Sequence, residues 1–450
     1  MSRGGKSLVS GEWGASTWLV PLLFTAAYAL VGQTLASHGV FGAAFDNCVF
    51  EADGPRIVEN STTLWSPQWR TRIHPLHGLL TVPMGAPLAS VLLSPAHAAS
   101  LVASLLAGLT LLASSLLLER AGLGNLDRNL FVVLLGASAT LATFGAVPEV
   151  HILSGLGLTL MALSLFPRPR SHPVDPVEGR SNWPRALPGM FVAVGAQLTS
   201  LALVPLCFLL HLPKTPWKQR LRRATLLSIA FALGVAALHG VQRSFRTEPS
   251  PAQEVALGLD RQAAPESAES PPRMGVVDSH LLFVTKPAEL PSRVLETVAA
   301  VLGAGFVAPE LHVSTREGQP NVGFRYWPPD LRPVGAVALG LWLALVASVT
   351  VLAARRKGLG RLFSGAPGAL LAGLSTCFYF LVFCLYGDEL FLFSPNWLPP
   401  LTMTVGVLYS NARSSSGRAA RTLRSLLMAT VALVSVNTFL HLRDLLELYT

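Results

Sequence analysis

Apolar runs of about 18 to 25 residues recur along the whole chain, the length an α-helix needs to cross a hydrocarbon core of about 30 Å at 1.5 Å per residue. They predict spans near Trp18 to Leu35, Ala98 to Leu118, Leu130 to Val147, Val150 to Phe166, Leu226 to His239, Val334 to Ala354, Pro367 to Tyr386, Leu398 to Tyr409 and Leu426 to Leu440. The run Leu187 to Leu212 is interrupted by Gln197, Thr199 and Ser200 and has basic chain on both sides, which predicts a short hairpin that enters and returns. Ile73 to Leu93 is apolar enough to span but carries Pro75, Pro83, Gly85 and Pro87, so a helix lying along the outer interface is expected there. A transmembrane β-barrel would show short alternating segments, which the chain lacks. The pattern therefore predicts an all-α polytopic membrane protein, a helix bundle with about 9 to 11 transmembrane segments and interfacial helices on its extracytoplasmic side.

Composition narrows the picture further. Of 450 residues 51% are hydrophobic and only 13% charged, where a soluble domain carries roughly 25% charged residues; a water-facing exterior cannot be built from this, and a soluble enzyme is excluded. The net charge of +9 comes from basic residues spread over many short loops beside apolar spans. That distribution encodes orientation, and no nucleic acid is expected as a partner. Twenty-one of the 34 Lys and Arg fall on one side, from Arg3, Lys6 and Arg120 through Arg220 and Arg355 to Arg424, so by the positive-inside rule that side is cytoplasmic. The first apolar stretch follows Arg3 and Lys6 and is expected to be a retained span starting inside. The four cysteines make no disulfide framework, because Cys207, Cys377 and Cys384 lie in apolar runs and only Cys48 in an outer loop. No dinucleotide or P-loop glycine pattern and no internal repeat is present. Three regions follow: residues 1–240 as a transmembrane core carrying a first outer loop (37–93), 241–333 as an extracytoplasmic segment, and 334–450 as C-terminal transmembrane helices. The middle region opens with a Pro-, Glu-, Ser- and Ala-rich piece expected to be mobile, Thr247 to Arg273, and turns amphipathic near Leu290 to Val307.

Candidate chemistry concentrates in the first outer loop. Phe50-Glu51-Ala52-Asp53-Gly54-Pro55-Arg56 is followed by Trp69-Arg70-Thr71-Arg72-Ile73-His74-Pro75. This sets carboxylates capable of taking a proton beside arginines whose planar fork matches phosphate oxygens; a solvated loop whose charges keep it out of lipid is the competing reading. Glu149, in Val147-Pro148-Glu149-Val150-His151, sits at the mouth of two apolar spans, where an ionised carboxylate is expensive unless paired or wet. The bland alternative is an acid favoured by the helix dipole just after Pro148. Arg325, with Tyr326 and Trp327, precedes another span and either holds a lipid phosphate or simply anchors the interface. Asp388 and Glu389 mark a further outer span end.

The Glu51-x-Asp53 pair after the first span, the Asp53-x-Pro55-Arg56 run and the proline-bearing helix that follows resemble the GT-C superfamily of polyprenyl-phosphate-sugar-dependent glycosyltransferases, in particular its bacterial aminoarabinose and mannosyl transferase branches. The resemblance covers the layout of roughly the first 240 residues and is weak in identity; the short hairpin and the long later outer segment are similar too. It implies transfer of a sugar from a polyprenyl-phosphate donor to a lipid, glycan or protein acceptor, with Asp53 catalytic, Glu51 its motif partner and Glu149 the second acid. Arg56, Arg70, Arg72, His74 and Arg325 would meet the lipid phosphate. No cofactor is certain; a divalent cation on Glu51, Asp53, Glu149 and His151 is the one candidate. Membrane lipids are expected partners, and an Ala- and Arg-rich composition points to the inner membrane of a bacterium. A transporter or flippase, and a non-catalytic lipid-binding relative, remain the alternatives.

Overall fold

A computed structural model describes residues 15–45, 48–63, 74–166, 183–212, 216–244, 290–316, 318–326, 328–357, 366–385, 390–414 and 416–450. In chain order the helices are α1 (Ala15–Ser37), α2 (Gly54–Thr62), α3 (His77–Leu92), α4 (Pro95–Arg120), α5 (Asn125–Gly136), α6 (Ala139–Phe144), α7 (His151–Ser164), α8 (Leu187–Ala196), α9 (Val204–His211) and α10 (Trp217–Ser244). There follow α11 (Leu290–Ala299), α12 (Pro333–Lys357), α13 (Pro367–Leu385), α14 (Leu398–Arg413) and α15 (Gly417–Tyr449). One small antiparallel hairpin, β1 (His312–Arg316) with β2 (Gln319–Gly323), turns through Gly318 at φ +83° and stands between α11 and α12 in the chain.

The protein is thus an all-α polytopic membrane protein. Six of its described helices, α1, α4, α10, α12, α13 and α15, are long and apolar enough to cross a membrane. Leu22, Leu23 and Leu30 of α1, Leu226 and Leu233 of α10 and Phe439 of α15 stand exposed, a surface that only lipid would solvate.

Contacts at the helix ends sort the bundle into two faces. On one, Arg120 at the end of α4 donates to the Leu163 carbonyl of α7, Arg220 of α10 to Leu209 of α9, and Arg356 of α12 to Asn411 of α14. Asp127, fully buried at the start of α5, is gripped there by Arg413 of α14 and by Arg424 of α15, the latter at 2.8 Å. Burial alone would push the Asp127 carboxyl up; the hydrogen bonds and charges of Arg424 and Arg413 outweigh it and hold the group below its usual range. All these arginines belong to the set that charge patterning assigned to one side of the membrane.

The segment 187–212 folds as a hairpin. Gly189 near the start of α8 lies against Met161 of α7, Gln197 at the tip reaches the level of His151 at the opposite end of α7, and His211 at the end of α9 returns to Ser164 (Oγ to Nε2, 3.1 Å). Close docking needs glycine: a Cβ on Gly157 of α7 would stand 2.2 Å from the backbone nitrogen of Ala193 in α8.

One expected element takes another form. The run Leu130 to Val147 is not one helix but α5 and α6, broken at Ala137-Ser138. Its freed backbone groups are met from distant segments. The Tyr28 hydroxyl donates to the Gly136 carbonyl and Thr438 Oγ1 to Ala137, while the amides of Ala139 and Thr140 donate to the carbonyls of Phe306 and Gly305. Ser138 Oγ caps α6 at the Leu141 amide. A break in an apolar environment survives only with such replacements. The helix expected before Leu93 is present: α3 runs unbroken for 16 residues through Pro83 and Pro87.

Candidate functional site

On the face opposite the arginine contacts, Cys48, Val49 and Phe50 of the first outer loop are drawn into the bundle rather than left in solvent. Phe50 is fully buried, its ring 4.8 Å from those of both Phe324 and Phe391, with Phe144 and His441 around it. Its amide donates to the Val322 carbonyl (2.9 Å), and the Val322 amide donates to the Cys48 carbonyl (2.8 Å), so the turn at residues 48–50 is bridged to β2 by an isolated parallel pairing of Val49 with Val322. The Tyr449 hydroxyl closes the seam, 3.0 Å from the Cys48 carbonyl and 3.1 Å from that of Pro320. Phe50 and Glu51 both adopt left-handed backbone, φ +51° and +56°. Neither is glycine, and such a conformation persists only where the surroundings over-determine it, as the aromatic socket and seam do here.

The double turn delivers Asp53 to the N-cap position of α2, where Pro55 enters the first turn. One turn on, Arg56 Nη1 donates to Asp53 Oδ2 at 2.7 Å, with side-chain exposures of 24% and 15%. Glu51, two residues earlier, is exposed.

A second polar cluster is buried where α7 begins. Glu149 Oε1 accepts the Val150 amide at 2.7 Å and lies 4.0 Å from His151 Nε2. His74, at the end of the first outer loop, donates through Nδ1 to the Ala196 carbonyl at the hairpin tip, and its ring meets that of His151 edge-on at 5.9 Å. Asn396 lies against His151, Nδ2 to Nδ1 3.3 Å, and Phe393 walls the ring at 4.8 Å. Burial, and then the neighbouring His74, push His77 down to about 3, so that imidazole is neutral at pH 7. Three segments far apart in sequence thus meet at His151: 74–77, the hairpin tip and 393–397.

Of the residues singled out from sequence, Asp53 and Arg56 form one pair and Glu149, His151 and His74 form another group. Arg325 is exposed beside a buried Tyr326, whose hydroxyl accepts the Phe391 amide at 2.7 Å. Arg70, Arg72, Trp327, Asp388, Glu389 and the piece Thr247 to Arg273 lie outside the described residues. The cation cage suggested by Glu51, Asp53, Glu149 and His151 does not form: among the described residues no three His, Cys, Asp or Glu side chains are placed to hold one metal ion, since Glu51 faces solvent while Glu149 and His151 are buried. Sequence reading assigned no site role to Phe50, Gln197 and Asn396. Only Gln197 carried a signal, a polar residue inside an apolar run.

No family model matches the chain, and neither a curated protein nor a solved structure is significantly similar to it.

Proposed function

We propose that the protein is a membrane glycosyltransferase of GT-C type, which moves a sugar from a polyprenyl-phosphate donor to an acceptor hydroxyl at the extracytoplasmic face. The observation that carries this reading is the acidic loop itself: a strained, socketed segment aims Asp53 from a helix N-terminus beside an arginine, where a solvated loop would need neither strain nor socket. Asp53 takes the acceptor proton as the acceptor oxygen bonds to the sugar's anomeric carbon. The bond from that carbon to the phosphate oxygen breaks, its electron pair leaving on phosphate, with inversion. Arg56, paired with Asp53, supplies a cation for that developing anion; Arg70 and Arg72 are assigned the same role from the sequence alone. His74 belongs to the second cluster, with Glu149 and His151.

Transport is the second reading, and two observations favour it: the broken α5–α6 element and the hairpin are the interrupted helices a transport path uses, and the buried Ser200 and Tyr379 hydroxyls, 2.7 Å apart, line the hairpin. Transfer of radiolabelled sugar from a panel of polyprenyl-phosphate donors to membrane acceptors, with wild type and Asp53→Asn at matched expression and fold, tests the proposal. Transfer lost only in the variant supports it. Transfer by both removes Asp53 as the base, and none by either, with donor translocation across liposomes, leaves transport.

A further inference from the structure

The two amide protons of Asn396 are spoken for in a way that fixes its neighbour. One is donated to the Phe393 carbonyl at 3.0 Å, so the amide cannot be turned over without setting oxygen against oxygen; the other points at His151 Nδ1, 3.3 Å away. Facing an N–H, Nδ1 must be the acceptor, and in a neutral imidazole the proton then resides on Nε2. That nitrogen is the one directed at Glu149 Oε1, 4.0 Å off. The Gln197 side chain approaches the same ring as a further hydrogen-bonding neighbour. With the other tautomer, a lone pair would oppose the Glu149 carboxylate, and the Asn396 N–H would oppose the Nδ1 proton.

We propose that Asn396 is a positioning residue which holds His151 in the Nε2–H tautomer, so that the imidazole presents a donor to Glu149 and keeps that carboxylate oriented as the second acid of the site. The proposal rests on reading Glu149 as a site residue. It adds a residue more than 240 positions away in sequence that no motif marks, and it makes the imidazole a fixed donor to the carboxylate. The remaining separation closes to hydrogen-bond length with a shift of about 1 Å, of the kind that sites make on filling.

The test reads the proton directly. The full chain, labelled with ¹⁵N in its histidine rings, is reconstituted in lipid nanodiscs and His151 assigned among the 11 histidines with His151→Gln. In wild type His151 shows a single tautomer, protonated on Nε2. Asn396→Asp, nearly the same size but only an acceptor, moves the proton to Nδ1, and Asn396→Leu populates both tautomers. Thermal unfolding of each variant checks the fold; should the aspartate variant not fold, wild type and the leucine variant decide. A wild-type proton on Nδ1, a tautomer mixture in wild type, or no change in either variant overturns the proposal, because a merely structural asparagine would leave the ring proton where it was. These readouts need no turnover, so they stand even if the transfer assay fails. Where transfer is measurable, Asn396→Asp lowers turnover by about 100-fold, the low end of acid–base contributions, at unchanged donor KM.

Discussion

Removing the Phe50 ring should open the seam that carries the acidic loop. Phe50 is completely buried among Phe144, Phe324, Phe391 and His441, and truncating such a phenylalanine to alanine costs about 3–5 kcal/mol. The neighbouring Cys48 thiol is buried and unoxidised, and its own backbone carbonyl is held by Val322 and Tyr449, so it becomes reactive only when the seam opens. With Cys207, Cys377 and Cys384 replaced, the labelling rate of Cys48 by a maleimide reports the local opening equilibrium. At 1.4 kcal/mol per decade, Phe50→Ala raises that rate by about two to three and a half orders of magnitude. Phe50→Gly loses the same ring but relieves the left-handed backbone, worth about 1–2 kcal/mol against a glycine entropy penalty of about 0.5–1 kcal/mol, so it labels no faster than the alanine variant. An unchanged rate in Phe50→Ala would refute the claim that the aromatic socket fixes the loop. A glycine variant that labels much faster than alanine would refute the claim of backbone strain.

Other perturbations probe other parts of the molecule. Glu51 is exposed at φ +56°, so Glu51→Gly should be more stable than Glu51→Ala by about 1 kcal/mol in thermal unfolding, and the reverse order would deny strain there. Asp127→Asn should destabilise by about 1–3 kcal/mol, below the 3–5 typical of a broken buried pair because Arg413 and Arg424 can rehydrate; both arginines are partly exposed. Because the folded Asp127 pKa is depressed, its stabilisation is complete above the unfolded value of about 3.9 and is lost as pH falls below it. The asparagine variant should therefore show a shallower acid loss of melting temperature, and an identical slope would remove Asp127 from that role. Gly157→Ala places a methyl 2.2 Å from a backbone nitrogen and should cost about 1–3 kcal/mol by lifting α8 from α7, measured as a lower melting temperature; an unchanged melting temperature would mean that the hairpin is not docked there.

What could be read from sequence is what depends on neighbouring residues. The six long helices, the hairpin flagged by basic flanks around Gln197, and the side on which Arg120, Arg356 and Arg413 gather follow from local hydrophobicity and charge. The break after Gly136 was illegible because apolar residues continue through it; it exists only because Tyr28, Thr438, Gly305 and Phe306 supply replacement hydrogen bonds. Likewise Glu51, Asp53 and Glu149 stood out as acids beside spans, but nothing local ties Phe50 to Phe324 or His151 to Asn396. A short strand such as β2 within an outer segment gives too little periodicity to separate from loop.

The socket around Phe50 also sets an order of assembly. Its walls come from residues 144, 324, 391 and 441, so the acidic loop emerges early and waits for its last wall through the synthesis of roughly 390 further residues, about 20–80 s at 5–20 residues per second. During that interval Phe50 and the open edge at Cys48 to Phe50 face outward without partners. A nascent chain has therefore to be shielded, or kept from its neighbours, until the final helix inserts and the seam is sealed from its end.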